Sequence, residues 1–463
     1  MFGLQLLVML CLVRGILAWW RMECPGALGL TRVDPIVSPG GPSQHLHSFH
    51  GSNAVGFTAD TASLRAGSCT SCRASQDMSA YWFPVLYFQD ARTGQLEFVN
   101  PVGGFTAYYK IFGKNVTAFP DNFQMIAGST ERRSFTPYDH RTSGPEKSRW
   151  AEFGLTAQKD FEQLAVGFTC LDKDEIFFEG ALDRHYMPDK EFIDANCDGG
   201  LRAEIQFPSC WDGVNSAADD FKSHVLYPNL VVEGDCPETH PVRLPSLFYE
   251  TVWSTSTFKG RKGRFVMSNG DPTGFGYHGD FIMGWDRNFL QAAIDTCLDR
   301  NGSMYECPLF DITTESEAAS CKMEVPPKLE DERIFYGLTT LPGGVKISAT
   351  EGHSHGKHTS HDNHTMSGNC TMYGNQTVSG NHTMPRNYTI PDHCETPTGP
   401  VNLTTSGSHA TSTLDALGME VNHGNTNSMA NGNIVTKVLQ DLPEKVGWVR
   451  EAVGTTTDKR DRH

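Results

Sequence analysis

Apolar and polar side chains alternate most clearly along Leu201-Arg-Ala-Glu-Ile-Gln-Phe207. Leu201, Ala203, Ile205 and Phe207 share one face there, and Arg202, Glu204 and Gln206 the other. A period of two is that of a half-buried β-strand. Further short apolar or aromatic runs lie at Tyr81–Phe88, Thr106–Phe112, Ile176–Phe178, Leu247–Trp253 and Arg264–Ser268, each bounded by turn-forming residues. Many short strands between turn signals predict a mainly β fold: a sandwich or jelly-roll-like core with long loops and a few helices. One helix stands out. Phe289, Leu290, Ala293, Ile294, Cys297 and Leu298 recur at helical spacing, Asp286 is placed to cap its start and Asn301-Gly302 to stop it.

The pattern divides the chain. Residues 19–300 read as one β-rich domain, and residues 301–350 as an extension held by Cys307 and Cys321. Near Thr350 the texture changes. Asn363, Asn369, Asn375, Asn381 and Asn387 sit six residues apart, each opening an Asn-x-Thr acceptor, with Met366, Met372, Val378, Met384 and Ile390 in step. Asn402 adds another acceptor, and Asn115 and Asn301 lie upstream. So polar a repeat cannot bury a core. Residues 351–405 are therefore predicted to be a His-rich, N-glycosylated, disordered tail, followed by low-complexity sequence over 406–463.

Composition sets the compartment. Leu6–Val13 is an apolar run and Ile16-Leu17-Ala18 ends in a small residue, so residues 1–18 read as a secretory leader. The run is too short to span a membrane, and no later stretch is long enough. Of the 13 cysteines, Cys11 leaves with the leader, and the remaining even number predicts disulfides in an oxidising compartment. Cys69-Thr-Ser-Cys72 has the spacing of a zinc knuckle, but no second such pair follows. A net charge of −16 argues against nucleic acid and against an anionic membrane surface, and leaves neutral glycans open as partners. The oligomeric state is not legible.

Candidate chemistry concentrates in two places. In His45-Leu-His47-Ser-Phe-His50-Gly51, extended backbone would put His45 and His47 on one face and His50 on the other. In Tyr277-His278-Gly279-Asp280, His278 and Asp280 would share a face, with Tyr277, Phe281 and Trp285 opposite. A carboxylate beside an imidazole orients it or raises its basicity. His45, His47 and His278 are the candidate ligands of a divalent metal ion, zinc or copper. His224 is either a further imidazole of the site or a buried structural one. The tail histidines His353, His355, His358, His361 and His364 resemble a metal-scavenging tract.

Several ordered motifs carry a resemblance. Trp20-Arg-Met-Glu-Cys24, Arg32-Val-Asp34-Pro35, Ser43-x-His45-x-His47-x-x-His50-Gly51 and Gln76-Asp-Met-Ser-Ala-Tyr-Trp82 come first. Phe207-Pro-Ser-Cys-Trp-Asp-Gly213, Lys222-Ser-His224, His240-Pro241 and the Tyr277–Asp286 block follow. Together they resemble a secreted fungal family known only as a domain of unknown function, some members of which carry WSC wall-binding modules. The resemblance covers roughly residues 19–300. It implies a secreted or wall-associated protein and no particular activity. No WSC module is evident in this chain.

The leading expectation is a protein that acts on or binds extracellular or cell-wall polysaccharide. As a lyase, Arg32 would neutralise a sugar carboxylate while His45, His47, His278 or Tyr277 removes a proton. As a hydrolase, a carboxylate pair would come from Asp34, Asp212, Asp280 and Asp286. Trp211 and Trp285 would stack on sugar rings. The rival expectations are a non-catalytic metal-binding or stress-related wall protein, and a structural glycoprotein.

Overall fold

A computed structural model describes residues 18–173, 179–297 and 301–349, together with the backbone of 369–372 and 376–379. The chain divides into two units, residues 1–356 and 357–463. In the second, the described backbone is an antiparallel pair, Asn369–Met372 with Gln376–Ser379, each strand falling on a hexapeptide unit. The leader, the Ile176–Phe178 strand, the tail histidines and the remaining repeat lie outside the described residues.

In the first unit ten strands build two five-stranded antiparallel sheets. They are β1 (Ala18–Cys24), β2 (Gly29–Thr31), β3 (His47–Gly51), β4 (Ala80–Pro84), β5 (Pro101–Ile111), β6 (Gln124–Gly128), β7 (Val166–Leu171), β8 (Gly200–Gln206), β9 (Ser246–Trp253) and β10 (His278–Ile282). One sheet runs β1-β5-β9-β8-β7, the other β2-β3-β4-β10-β6. Two small three-stranded sheets flank them: Gly263–Met267 with Leu86–Asp90 and Leu96–Phe98, and Val225–Leu226 with Cys210–Trp211 and Val242–Arg243.

The sheets face each other through aromatic rings. Phe105 and Tyr249 of the first meet Tyr81 and Phe83 of the second at centroid distances between 5.3 and 6.5 Å. Leu201, Ala203 and Ile205 of β8 point into this core, as their alternation predicts. The fold is thus mainly β, a sandwich as expected. The run Tyr81–Phe88 is not one strand, however. It breaks at Pro84, which lacks the N–H to continue the ladder, and Leu86 begins a strand of a different sheet. The predicted helix is present as Arg287–Thr296, with Asp286 accepting the Phe289 N–H at its start. It stops at Cys297, earlier than Asn301-Gly302, where a disulfide to Cys307 takes over.

The far face of the second sheet is covered by loops. Leu28, Val33, Ile36, Val55, Leu64, Met323 and Leu329 pack on Phe49, Trp82 and Ile282. Disulfides Cys24–Cys72 and Cys69–Cys321 pin this layer, and Cys170–Cys197 and Cys210–Cys236 staple loops elsewhere. Cys69 and Cys72 therefore go to different partners, which disposes of the zinc-knuckle reading. Cys69–Cys321 closes a separation of 252 residues. Its double replacement, Cys69→Ser with Cys321→Ser, is expected to lower stability by about 2–5 kcal/mol in non-reducing denaturant titration, because the unfolded chain regains that loop's freedom. An unchanged midpoint would show that the 321–329 segment is held by packing alone.

Candidate metal centre

His47 and His278 reach the site from strands two apart in one sheet. His47 on β3 pairs with Pro84 on β4, and the β4–β10 register, Trp82 with Asp280, places Pro84 beside His278 in turn. Strand spacing sets the two histidine backbones roughly 10 Å apart. Their rings lean over the low Pro84 ring to a centroid distance of 5.8 Å. Phe49 and Asp280 continue the same face, because side chains two apart along a strand point alike.

His45 comes from the segment before β3, which is bent, not extended as the sequence suggested. It is fixed by the main chain around it. The Ser43 N–H donates to Arg32 O at 2.7 Å, and the Ser268 hydroxyl to Leu46 O at 2.6 Å. Its ring lies 4.3 Å from that of His47 and 5.0 Å from that of His278. The ligand nitrogens of the three all fall within 4.8 Å of one another. All three residues are buried, with exposures of 8%, 0% and 5% in chain order.

The protonation pattern follows from hydrogen bonds. His47 Nδ1 lies 2.9 Å from Val33 O, and His278 Nδ1 3.1 Å from Gly276 O. A carbonyl only accepts, so both Nδ1 atoms carry the proton and both Nε2 atoms present lone pairs. Metal-binding histidines are held in the same way. His47 Nε2 has no hydrogen-bond partner, and His45 Nε2 donates to His278 Nε2 across 3.1 Å. Two nitrogens on a tetrahedral zinc ion, with bonds of about 2.1 Å, would be separated by about 3.4 Å. The His45–His278 pair is already near that spacing.

Burial keeps the imidazoles neutral. It lowers His47 to about 4, against the Val33 hydrogen bond, and His278 to about 3, helped by His47. His45 falls well below the usual range through burial, then His47, His278 and Arg133. Two buried carboxylates adjoin the triad without belonging to its group of converging ligand atoms. Asp280 Oδ2 stands 4.0 Å from His278 Nε2 and has no hydrogen-bond partner. Burial, with Asp34 adding, raises its pKa well above the ordinary carboxylate value. Asp34, adjacent to Val33, is also raised by burial, against the N–H groups of Val37 and Ile36 and the charge of His278. A dication among these groups would let both carboxylates ionise.

Other expected site residues do not join the cluster. Arg32 forms an ion pair with Glu332 at 2.8 Å and donates to Ser43 O, which makes it a strut for the His45 segment. Tyr277 is fully buried on the sandwich side of the sheet, packed on Phe168, with burial raising its pKa. Trp285 is 0% and Trp211 8% exposed. Trp285 donates to Tyr109 and stacks on Phe289, while Trp211 donates to Asn215 O, so neither offers a face to a sugar ring. Asp212 caps its own turn and Asp286 its helix. His50 faces the sandwich interior, 4.9 Å from Phe105, and buried His224 tilts against Phe123. Asn115 and Asn301 are exposed, as glycan acceptors must be; the side chains of Asn363, Asn369, Asn375, Asn381, Asn387 and Asn402 lie outside the described residues. Asp34 accepts the N–H groups of Ile36 and Val37 and acts on the triad through the charge of His278 only. Arg133 had no signal at all, since only the fold brings it near His45.

The raised Asp280 carboxyl makes a signed prediction. A group with a folded pKa above its unfolded value of 3.8 binds more protons in the folded state, so its stabilising contribution is lost as pH rises through the folded pKa. In chelator-treated protein, Asp280→Asn should therefore be at least as stable as the parent at pH 7 and lose that advantage near pH 4, as read from thermal midpoints. With zinc added, the order at pH 7 should reverse.

No curated protein and no solved structure matches the chain. A family model described as a domain of unknown function, DUF1996, matches residues 34–285, a span that contains His45, His47, His278 and Asp280. That span is more than half of the chain, which therefore belongs to the DUF1996 family.

Proposed function

We propose that the protein is a metal-binding protein whose centre is a divalent zinc or copper ion held by His45, His47 and His278, with Asp280 as the adjoining carboxylate. One observation carries the reading: a wholly buried triad in which two Nε2 lone pairs are aimed by main-chain carbonyls, beside an unpartnered buried carboxylate oxygen. Unpaired buried polar groups cost folding free energy, and a bound cation removes that cost. Imidazole nitrogens suit zinc and copper, and no thiolate adjoins to favour softer ions. Among the described residues, five disulfides and the lack of any helix long and apolar enough to cross a membrane are compatible with a secreted protein, and we place it outside the cell.

Purified protein is expected to retain about one equivalent of zinc or copper by elemental analysis. Stripping the ion should lower the thermal midpoint, and its return at about 100 times Kd should restore about 2.7 kcal/mol. His47→Ala and His278→Ala should each weaken affinity at least about 100-fold with the circular dichroism unchanged. Affinity equal to that of the parent in both variants would defeat the assignment.

A polysaccharide partner has one observation in its favour, away from the triad. Tyr336 is 70% and Phe335 49% exposed. The neighbouring Gly337 lines a cleft of about 160 Å³ with Asp90, Arg92, Gln95, Glu97 and Arg261. Aromatic faces beside polar hydrogen-bonding groups suit sugar rings. On this second reading, Tyr336→Ala should reduce retention on insoluble wall polysaccharide without altering metal content.

A further inference from the structure

An ion can reach the buried triad only through one of its walls, and the walls are not equally firm. Beneath it lies the sheet itself, β3, β4 and β10. Loops pinned by Cys24–Cys72 and Cys69–Cys321 cover the apolar part of the same face. The Asn269–Gly276 turn is closed around the buried Asp271. What remains is the Ser43–Leu46 segment, which carries His45, the most exposed of the three ligands. Leu46 is its fixed end, buried and held by the Ser268 hydroxyl. Its other end is held through Arg32, which donates to Ser43 O and pairs with Glu332.

Glu332 belongs to a segment that no disulfide pins, since the described chain has no cysteine between Cys321 and residue 349. Its carboxylate also accepts the Gly343 N–H at 3.1 Å, so one side chain closes the neck of a 332–343 loop and ties that loop to Arg32. A loop with its ends drawn together in this way has the form of an Ω-loop. A Cβ at Gly343 would run into Gln44 O and stand against the Arg32 side chain, so the neck lies on the residue before His45. Leu338 and Leu341 anchor the loop, while Phe335, Tyr336, Thr339 and Thr340 are exposed. A hollow of about 250 Å³ is lined by residues of 332–344 alone. A segment with few buried side chains and exposed backbone opens at lower cost than the core. We infer that residues 332–344 are the door of the metal centre: when Glu332 leaves Arg32 the loop lifts, Ser43–Leu46 swings about Leu46, and a divalent ion enters or leaves past His45. This rests on the metal assignment above and adds to it how the site is filled and emptied. The three ligands fall within the matched span 34–285, whereas Arg32 and Glu332 fall outside it, so the door is separable from the ligand set.

Zinc release from the loaded full chain can be followed with an excess of a chromophoric chelator, and zinc uptake by the stripped chain in the reverse experiment. Glu332→Ala should speed release and uptake alike, each about ten-fold, because a hydrogen-bonded tie between charged groups is lost. Affinity should stay within about two-fold, since a door that opens equally in the bound and the free protein shifts no equilibrium. Leu338→Ala, which loosens the same loop at an apolar anchor, should change both rates in the same direction. Parent-like rates in both variants, with zinc still retained, overturn the inference and leave the metal site standing. So does faster release with unchanged uptake, which would make Glu332 a positioning residue for His45 and no part of a door. Failure of the parent to bind zinc or copper removes both. Should Glu332→Ala not fold, the two rates of Leu338→Ala decide alone.

Discussion

Two main-chain carbonyls, those of Val33 and Gly276, decide what the three imidazoles can do. By accepting from the Nδ1 atoms of His47 and His278 they fix both tautomers and turn both Nε2 atoms toward a common point. A buried imidazole without such a partner would be free to present either nitrogen. The Gly276 carbonyl is itself held in place. Asp271 accepts the Gly276 N–H at 2.6 Å and the Thr273 N–H at 2.8 Å, and Asn269 donates to Gly276 O at 2.8 Å. The Asn269–Gly276 turn is thus a device for aiming one histidine.

The two faces of the second sheet divide the work. Its inner face is an aromatic core in which some polar atoms pair internally: Tyr81 donates to Asp77 at 2.5 Å, meets Tyr109 at 2.6 Å, and Trp285 donates to Tyr109 at 2.9 Å, while Tyr277 OH and His50 Nδ1 have no partner. Its outer face is apolar around Phe49 and Trp82 but carries the triad and Asp280 at one end, under loops tied down by Cys24–Cys72 and Cys69–Cys321. Closed in this way, the triad is shielded from a polymer. That separates it from any glycan surface, and it places the expected sugar-stacking tryptophans inside the sandwich and its flank.

The period-two signal was legible wherever one strand face met the core and the other stayed polar, as in β8, and the helix was legible from its capped, periodic run. Tyr81–Phe88 misled because an apolar run carries no phase, so the change of sheet at Pro84 was hidden. In the site, the shared face of His278 and Asp280 followed from spacing alone, whereas His45 meets His47 through a bent segment that the strand period did not foretell. That the two pairs converge depends on β4 lying between β3 and β10, and no spacing in the chain encodes it. Arg32 and Tyr277 looked chemical because their residue types are, yet an arginine near Glu332 and a tyrosine packed on Phe168 serve the structure. Such partners lie up to 300 residues away in sequence.

The energetic logic of the cluster points the same way as its geometry. Three neutral imidazoles and two carboxylates, all buried, form an expensive arrangement if left alone, because a desolvated carboxylate with a free oxygen forgoes both water and a partner. Asp77 shows how this fold treats a carboxylate whose role is purely structural. Both of its oxygens are engaged, by the Ser79 N–H and by Tyr81, and burial leaves its pKa near 6. Asp280 has no such provision at Oδ2, and the nitrogen facing it, His278 Nε2, presents a lone pair, which cannot donate to it. A proton could neutralise Asp280, but it would not draw in the unpartnered His47 Nε2. A metal ion held by His45, His47 and His278 would engage the His47 atom directly and stand as a cation near the carboxylate.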